Sequence, residues 1–140
     1  MQFDNTQPIW AQIYELLLTR IADGDWSEGE RIASVRELGG ALAVNPNTVM
    51  RAYERATDEK LIFNRRGIGY FVSDGAQRVA ATLLRERFER EQLPRIFRSM
   101  QRVGISAEEF VSLYKNYQQN DNQQYTTHTL LRVVCYRVER

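Results

Sequence analysis

The chain has 140 residues, 43% hydrophobic and 26% charged, with a net charge of +1; that is enough for one modest domain or two small ones, and its bulk charge gives no argument for nucleic acid. A single cysteine, Cys135, and a single histidine, His128, exclude an intrachain disulfide framework and leave too few ligands for a Cys/His zinc site, so no metal or other cofactor is expected. No run of 18 apolar residues occurs, and "MQFDNTQPIW" has no basic stretch ahead of an apolar one, so neither a membrane span nor a secretory signal is expected and the compartment reads as cytoplasm.

The first helix opens at Pro8, a good first helical residue, and carries Ile9, Ile13, Leu16, Leu17 and Ile21 at helical spacing until "DGDW" stops it. A polar connector, "SEGERIA", leads to a second helix at Ser34-Val35-Arg36-Glu37, a capping box in which hydroxyl and carboxylate satisfy opposing backbone N–H groups. Val35, Leu38 and Leu42 are its apolar positions. Gly39-Gly40 weakens it by about 1 kcal/mol each relative to alanine, so it should be short. "VNPNTVMRAYERA" (44–56) begins the third helix: Asn45 is an N-cap, Pro46 a first helical residue, and Val44 and Val49 stand where a hydrophobic staple places them. At about 100° per residue, Val49, Ala52, Tyr53 and Ala56 share one face, and Asn47, Thr48, Arg51, Glu54 and Arg55 the other. Tyr53 reads as a core residue with its hydroxyl at the rim. Two short extended runs, "LIFNR" and "YFVSD", flank Arg66-Gly67-Ile68-Gly69 and read as a β-hairpin with a basic, glycine-rich tip.

From Asp74 a long helical pattern carries Val79, Ala80, Leu83, Leu84 and Phe88, and Pro94 should kink or break it. A further helical stretch with Ile96, Phe97, Met100 and Val103 runs to Gly104. Ser106-Ala107-Glu108-Glu109 is another capping box, opening a helix through Phe110, Leu113, Tyr114 and Tyr117. The tail from 121 to 140 has no assigned structure.

Three helices and then a hairpin is the layout of a winged helix-turn-helix, with a short all-helical region behind it: a mainly α chain with a small β-hairpin. In such a domain the third helix enters the major groove by its N-terminal end, and the wing tip reaches backbone or minor groove. Asn47 and Thr48 are short hydrogen-bonding side chains at that end. Arg51 lies a turn further on, and Arg36 has a planar fork suited to a guanine edge or a phosphate. Arg65 and Arg66 flank Gly67, which would let backbone approach backbone. Each part has a plainer reading. Asn45-Pro46 caps helices in any protein, Arg36 would serve equally in a surface ion pair, and any hairpin could use the Gly67 turn. Charge is no help: residues 1–73 hold 8 Lys/Arg against 10 Asp/Glu, and residues 74–140 hold 11 against 8. What raises the DNA reading above these is that all the parts occur in one order.

The stretch from Pro8 to Val72 resembles the DNA-binding domain of the GntR family of bacterial transcription regulators, through "SVREL" (34–38), "VNPNTVMRAY" (44–53) and "RRGIGYFV" (65–72). The Asn-Pro-Asn start is similar to the YtrA-like subfamily, and "LPRIFRSMQRVGISAEEFVSLY" resembles its small dimerisation region. The resemblance implies that Ser34, Arg36, Asn45, Asn47, Thr48, Arg66 and Gly67 touch double-stranded DNA. It also implies a repressor, with transporter operons as the target class. Three departures stand out: Ala33 replaces the usual proline before Ser34, Lys60 replaces a glycine, making the turn into the wing less relaxed, and Gly39-Gly40 is unusual for the family.

The expected organisation is a winged DNA-binding domain at 1–73, a helical dimerisation region at 74–120 and a tail at 121–140. The apolar surplus of the helical region, with Leu84, Phe88, Ile96, Phe97, Met100 and Phe110 as interface candidates, implies a homodimer that reads an inverted repeat. The short C-terminal part leaves room for only a small effector of unknown identity. The competing reading is a winged-helix protein-interaction module, favoured by the acidic balance of residues 1–73. An enzyme is disfavoured because no catalytic pairing or phosphate loop occurs.

Overall fold

The computed structural model describes residues 2–121; the tail assigned to 121–140 lies outside the described residues except for Asp121. Contacts divide the chain into two compact units, the first ending at Glu91. The first contains α1 (Ile9–Ala22), α2 (Val35–Leu42), α3 (Pro46–Asp58), β1 (Ile62–Arg65), β2 (Gly69–Val72) and α4 (Ala76–Arg87).

α1 is the centre of this unit, with α3 and α4 both packed along it. That explains why its buried residues are Ile13, Tyr14, Leu17, Leu18 and Ile21: an arc facing two neighbours is wider than the single stripe the sequence suggests. Ile9, at the helix start, is 42% exposed. Pro8 stands just outside the helix as its N-cap, its carbonyl accepting from Gln12 N–H at 3.3 Å. The core continues through Val49, Ala52, Tyr53 and Ala56 of α3, Leu61, Ile62 and Val72 of the hairpin, and Ala76 and Ala80 of α4. The helix after Ser73 therefore shares the core of the winged fold, with Leu83 and Leu84 packed against it.

α2 is short, as its glycine pair implies, and both halves of its capping box form. Gly39 is buried, and a Cβ there would come within 3.1 Å of the Val44 carbonyl oxygen, so glycine lets α2 lie close against the start of α3. The turn between them places Ala43 in the left-handed region at φ 54°. α3 ends in a Schellman motif, Lys60 N–H to Thr57 carbonyl at 3.0 Å and Leu61 N–H to Ala56 carbonyl at 2.9 Å. Lys60 sits at the left-handed position, φ 61°, where the resembling family has glycine.

The hairpin pairs Ile62 with Val72, Phe63 with Phe71, Asn64 with Tyr70 and Arg65 with Gly69. Its turn closes with Ile68 N–H on the Arg65 carbonyl at 2.9 Å, and Gly67 supplies the required positive φ of 78°. The polar connector does more than join elements. Arg31 forms an isolated antiparallel bridge with Phe71, which makes residues around it a minimal third strip beside β2. One bridge carries no hydrophobic period, so no sequence pattern announces it.

A π-helical turn, Phe88–Gln92, follows α4. The second unit starts at Gln92 and holds α5 (Leu93–Val103), with Pro94 in its first turn, and a helix α6 over residues 107–121. Pro94 interrupts the helical run as expected: regular α geometry gives way to the π turn, and the missing N–H falls where a new first turn has no partner to lose. Gly104, at φ 74°, caps α5, and the Ser106 hydroxyl caps α6 by accepting from Glu109 N–H at 3.1 Å. No residue of α5 is buried. Phe97 is 50% exposed, Val103 68% and Tyr117 65%.

Candidate nucleic-acid interface

The outward start of α3 is built from its cap. Asn45 Oδ1 accepts from Asn47 N–H at 2.8 Å, which fixes the first turn and leaves the Asn45 amide N–H groups unspent. Ser34 caps α2 in the same way: its Oγ accepts from Glu37 N–H at 3.2 Å, and its backbone N–H donates to the Glu37 carboxylate at 2.7 Å. The Asn45 cap uses an acceptor and keeps a donor, the type of group a phosphate oxygen needs. Asn47 and Arg51 are exposed and Thr48 is half-buried.

Tyr53 ties the elements around α3 together. It is fully buried, and its hydroxyl donates to the Ala33 carbonyl at 2.5 Å, just ahead of the α2 cap. Its ring meets Tyr70 of β2 edge-on, 4.8 Å between centroids at 79°. One side chain thus sets α3 against both the start of α2 and the wing. Burial pushes its hydroxyl pKa well above the ordinary tyrosine value, with the nearby Tyr70 and Glu37 adding to the shift, so it stays a donor. Tyr14 behaves alike at the other end of α3. Burial and then its hydrogen bond to Glu59 push it up to about 12, and its hydroxyl donates to Glu59 at the end of α3.

The arginines of the first unit fall into two groups. Arg20, Arg55, Arg85, Arg87 and Arg90 each pair with a carboxylate: Asp25, Glu59, Glu89, Glu15 and Glu91 respectively. Arg78, on α4, has no such partner among the described residues; nor do Arg31, Arg36, Arg51, Arg65 and Arg66, and all five of these are exposed. Four of those five are the arginines nominated from sequence. A net acidic segment thus carries five arginines without an ion-pair partner among the described residues on α2, α3, the connector and the wing.

These side chains are not all directed alike. Arg51 places its guanidinium 4.4 Å from the centroid of the Trp10 ring, and Arg65 places its own 5.1 Å from that of Phe71. Arg65 shares the outer face of the hairpin with Phe63 and Phe71, whose rings stack at 5.7 Å. Arg36 extends from the first turn of α2, and Arg66 and Gly67 form the wing tip. Arg31 was not anticipated; its Nε donates to the Ile68 carbonyl at 3.3 Å. Trp10, as the platform for Arg51, was not anticipated either.

Of the six nominated interface residues, Leu84 packs against the core of the first unit and Phe88 is 41% exposed. Phe97 is exposed, while Ile96, Met100 and Phe110 are half-buried. Among the described residues there is no group of three metal-ligating side chains, and no helix is long and apolar enough to cross a membrane. An open cleft of about 380 Å³ is lined by Trp10, Tyr14, Glu15, Arg55, Arg87 and Arg90 among others, but its three arginines are all in the paired group.

Residues 10–72 match the family described as bacterial regulatory proteins, gntR family. The chain is 30% identical over 116 residues to the uncharacterised HTH-type transcriptional regulator YhcF of Bacillus subtilis, covering 83% of this chain and 94% of that protein. It is 30% identical over 106 residues to the HTH-type transcriptional repressor YtrA of the same organism, covering 74% and 79%. Among solved structures, a GntR family transcriptional regulator from Listeria monocytogenes superposes with a TM-score of 0.67 at 29% identity, over 81% of this chain and 98% of that one.

Proposed function

This chain belongs to the gntR family of bacterial regulatory proteins and is a DNA-binding transcription regulator rather than an enzyme, and we propose that it is a cytoplasmic repressor acting as a homodimer on an inverted-repeat operator. Residues 1–73 make the DNA contacts and residues 74–120 hold the dimer together, although α4 belongs to the packing of the first unit. Each subunit reads one half-site with Asn47, Thr48 and Arg51 of α3 and with Arg36 of α2. Ser34, Asn45, Arg65, Arg66 and Gly67 hold the phosphate backbone.

The observation that carries this reading is the placement of the unpaired arginines of the first unit: all but Arg78 of α4 lie on or beside α2, α3 and the wing. The repressor role is supported by the likeness to YtrA, a protein named as a repressor. Transporter operons remain the target class the subfamily resemblance suggests. A small effector has no assigned site.

The test is a mobility-shift titration with the duplex upstream of the protein's own gene, across salt. A dimer making roughly 6–10 phosphate contacts loses about 10³–10⁵ in affinity between 50 and 200 mM salt. The lower end is expected, because residues 1–73 carry 8 basic against 10 acidic side chains. Binding that stays flat over this range would favour the protein-interaction module, which the acidic balance of this segment otherwise supports.

A further inference from the structure

Arg31 lies where two elements of the interface converge. Its backbone is fixed beside β2 by the bridge to Phe71, flanked by Ile32 N–H to the Tyr70 carbonyl and Val72 N–H to the Glu30 carbonyl, both at 2.9 Å. From that anchor the side chain reaches along the wing to its tip, where Nε donates to the Ile68 carbonyl at 3.3 Å. The guanidinium rests against Gly69: a Cβ built there would come within 3.0 Å of Nε and 3.5 Å of Nη2. Glycine at 69 therefore leaves the space the guanidinium occupies. On its other side Arg31 adds to the effects of Ser34 in holding the Glu37 carboxyl below its ordinary range, which places the charge near the first turn of α2 as well.

Only Nε is committed. Both Nη groups lack a partner among the described residues, and the residue is exposed. A guanidinium held by one edge presents the rest of its fork ready-ordered, so little rotamer freedom is lost when the remaining N–H groups bind. The geometry points to Arg31 as a phosphate-binding residue of the DNA interface, aimed by the Ile68 carbonyl and accommodated by Gly69, taking a backbone phosphodiester between the start of α2 and the wing. This rests on the DNA-binding reading and adds a contact to it. A phosphate is the assigned ligand because most protein–DNA hydrogen bonds go to the backbone; a base edge in the minor groove, the wing's other target, is the outcome the scrambled duplex would reveal.

The experiment is fluorescence anisotropy of the full chain on two labelled duplexes, the upstream promoter segment and a scrambled copy, from 50 to 200 mM salt. Arg31→Ala is expected to weaken binding about tenfold at low salt on both duplexes, and to make the plot of log affinity against log salt shallower by about 1 per subunit. Arg31→Lys, which keeps the charge and loses the aimed Nε–H, is expected to recover the slope and only part of the affinity. An alanine variant with the wild-type slope would overturn the contact even if affinity fell, since a residue that merely braces the wing does not change how many counterions are released. A loss confined to the promoter duplex would overturn it too, by marking a base contact. If the wild-type chain binds neither duplex, the DNA-binding reading fails, and this contact with it.

Discussion

Arg36 and Lys60 show what a single position can and cannot announce. Arg36 is exposed, with no ion-pair partner among the described residues, so removing its side chain costs the fold almost nothing. Its place in the capped first turn of α2 makes it a base-reading candidate. Arg36→Ala is expected to leave the thermal midpoint unchanged and to weaken operator binding by about 1–3 kcal/mol; unchanged affinity would remove the base-reading role. Lys60 is the opposite case. It occupies the left-handed position of the Schellman motif at φ 61°, which costs an L-residue roughly 1–2 kcal/mol. Lys60→Gly relieves that cost but gives the unfolded chain more freedom, so the expected net gain is about 0.5–1 kcal/mol, visible as a thermal midpoint several degrees higher. A lower midpoint would mean that the lysine side chain contributes packing that offsets its strain. The Lys60 departure was legible only through the family resemblance, which puts a glycine at that position; nothing local to the sequence marks it. Arg31 was not legible, because its role depends on a carbonyl 37 residues away in sequence.

Elements were legible where local chemistry decides them. The caps at Ser34, Asn45 and Ser106 form as the sequence implies, since a hydroxyl or amide acts on N–H groups two or three residues away. What local chemistry could not reveal is which faces are shared. α1 buries Tyr14 and Leu18 along with Ile13, Leu17 and Ile21 of its expected stripe, while Ile9 is exposed and Leu16 half-buried, because two helices pack on it, and nothing within α1 states how many neighbours it will have. The glycines of α2 make the same distinction testable. Gly40 faces open space, so Gly40→Ala should stabilise the chain by about 0.5–1 kcal/mol through helix propensity alone. At Gly39 the added Cβ would meet the Val44 carbonyl oxygen at 3.1 Å, a backbone atom with little freedom to move. Gly39→Ala should therefore destabilise and also shift α2 against α3. Chemical denaturation of the two variants measures both effects. Equal shifts of the same sign would show that helix propensity, not close approach, governs this pair.

At the scale of the molecule, assembly follows from apolar surface left without cover. α5 has no buried residue, and Phe97, Val103, Val111, Leu113, Tyr114 and Tyr117 are all at least 48% exposed. So small a helical unit has too little interior to hide them, and exposed apolar side chains in this number are expected to be covered by a partner. The first unit has its own closed core, running from Ile13 to Ala80. Covering the exposed side chains with the same surface of a second copy gives an isologous contact, which also fixes the spacing of two α3 helices on an inverted repeat. The chain is therefore expected to be a dimer at micromolar concentration. The informative truncation falls after Glu91, where the first unit ends, because a cut at Ser73 would also strip Ala76 and Ala80 from its core. Residues 1–91 should fold, remain monomeric and bind a single half-site weakly. Equilibrium sedimentation of the full chain and of residues 1–91, with the same operator titrated against each, separates folding from assembly. A monomeric full-length chain would remove both the dimer and the inverted-repeat operator, and a dimeric 1–91 fragment would move the interface off α5 and α6.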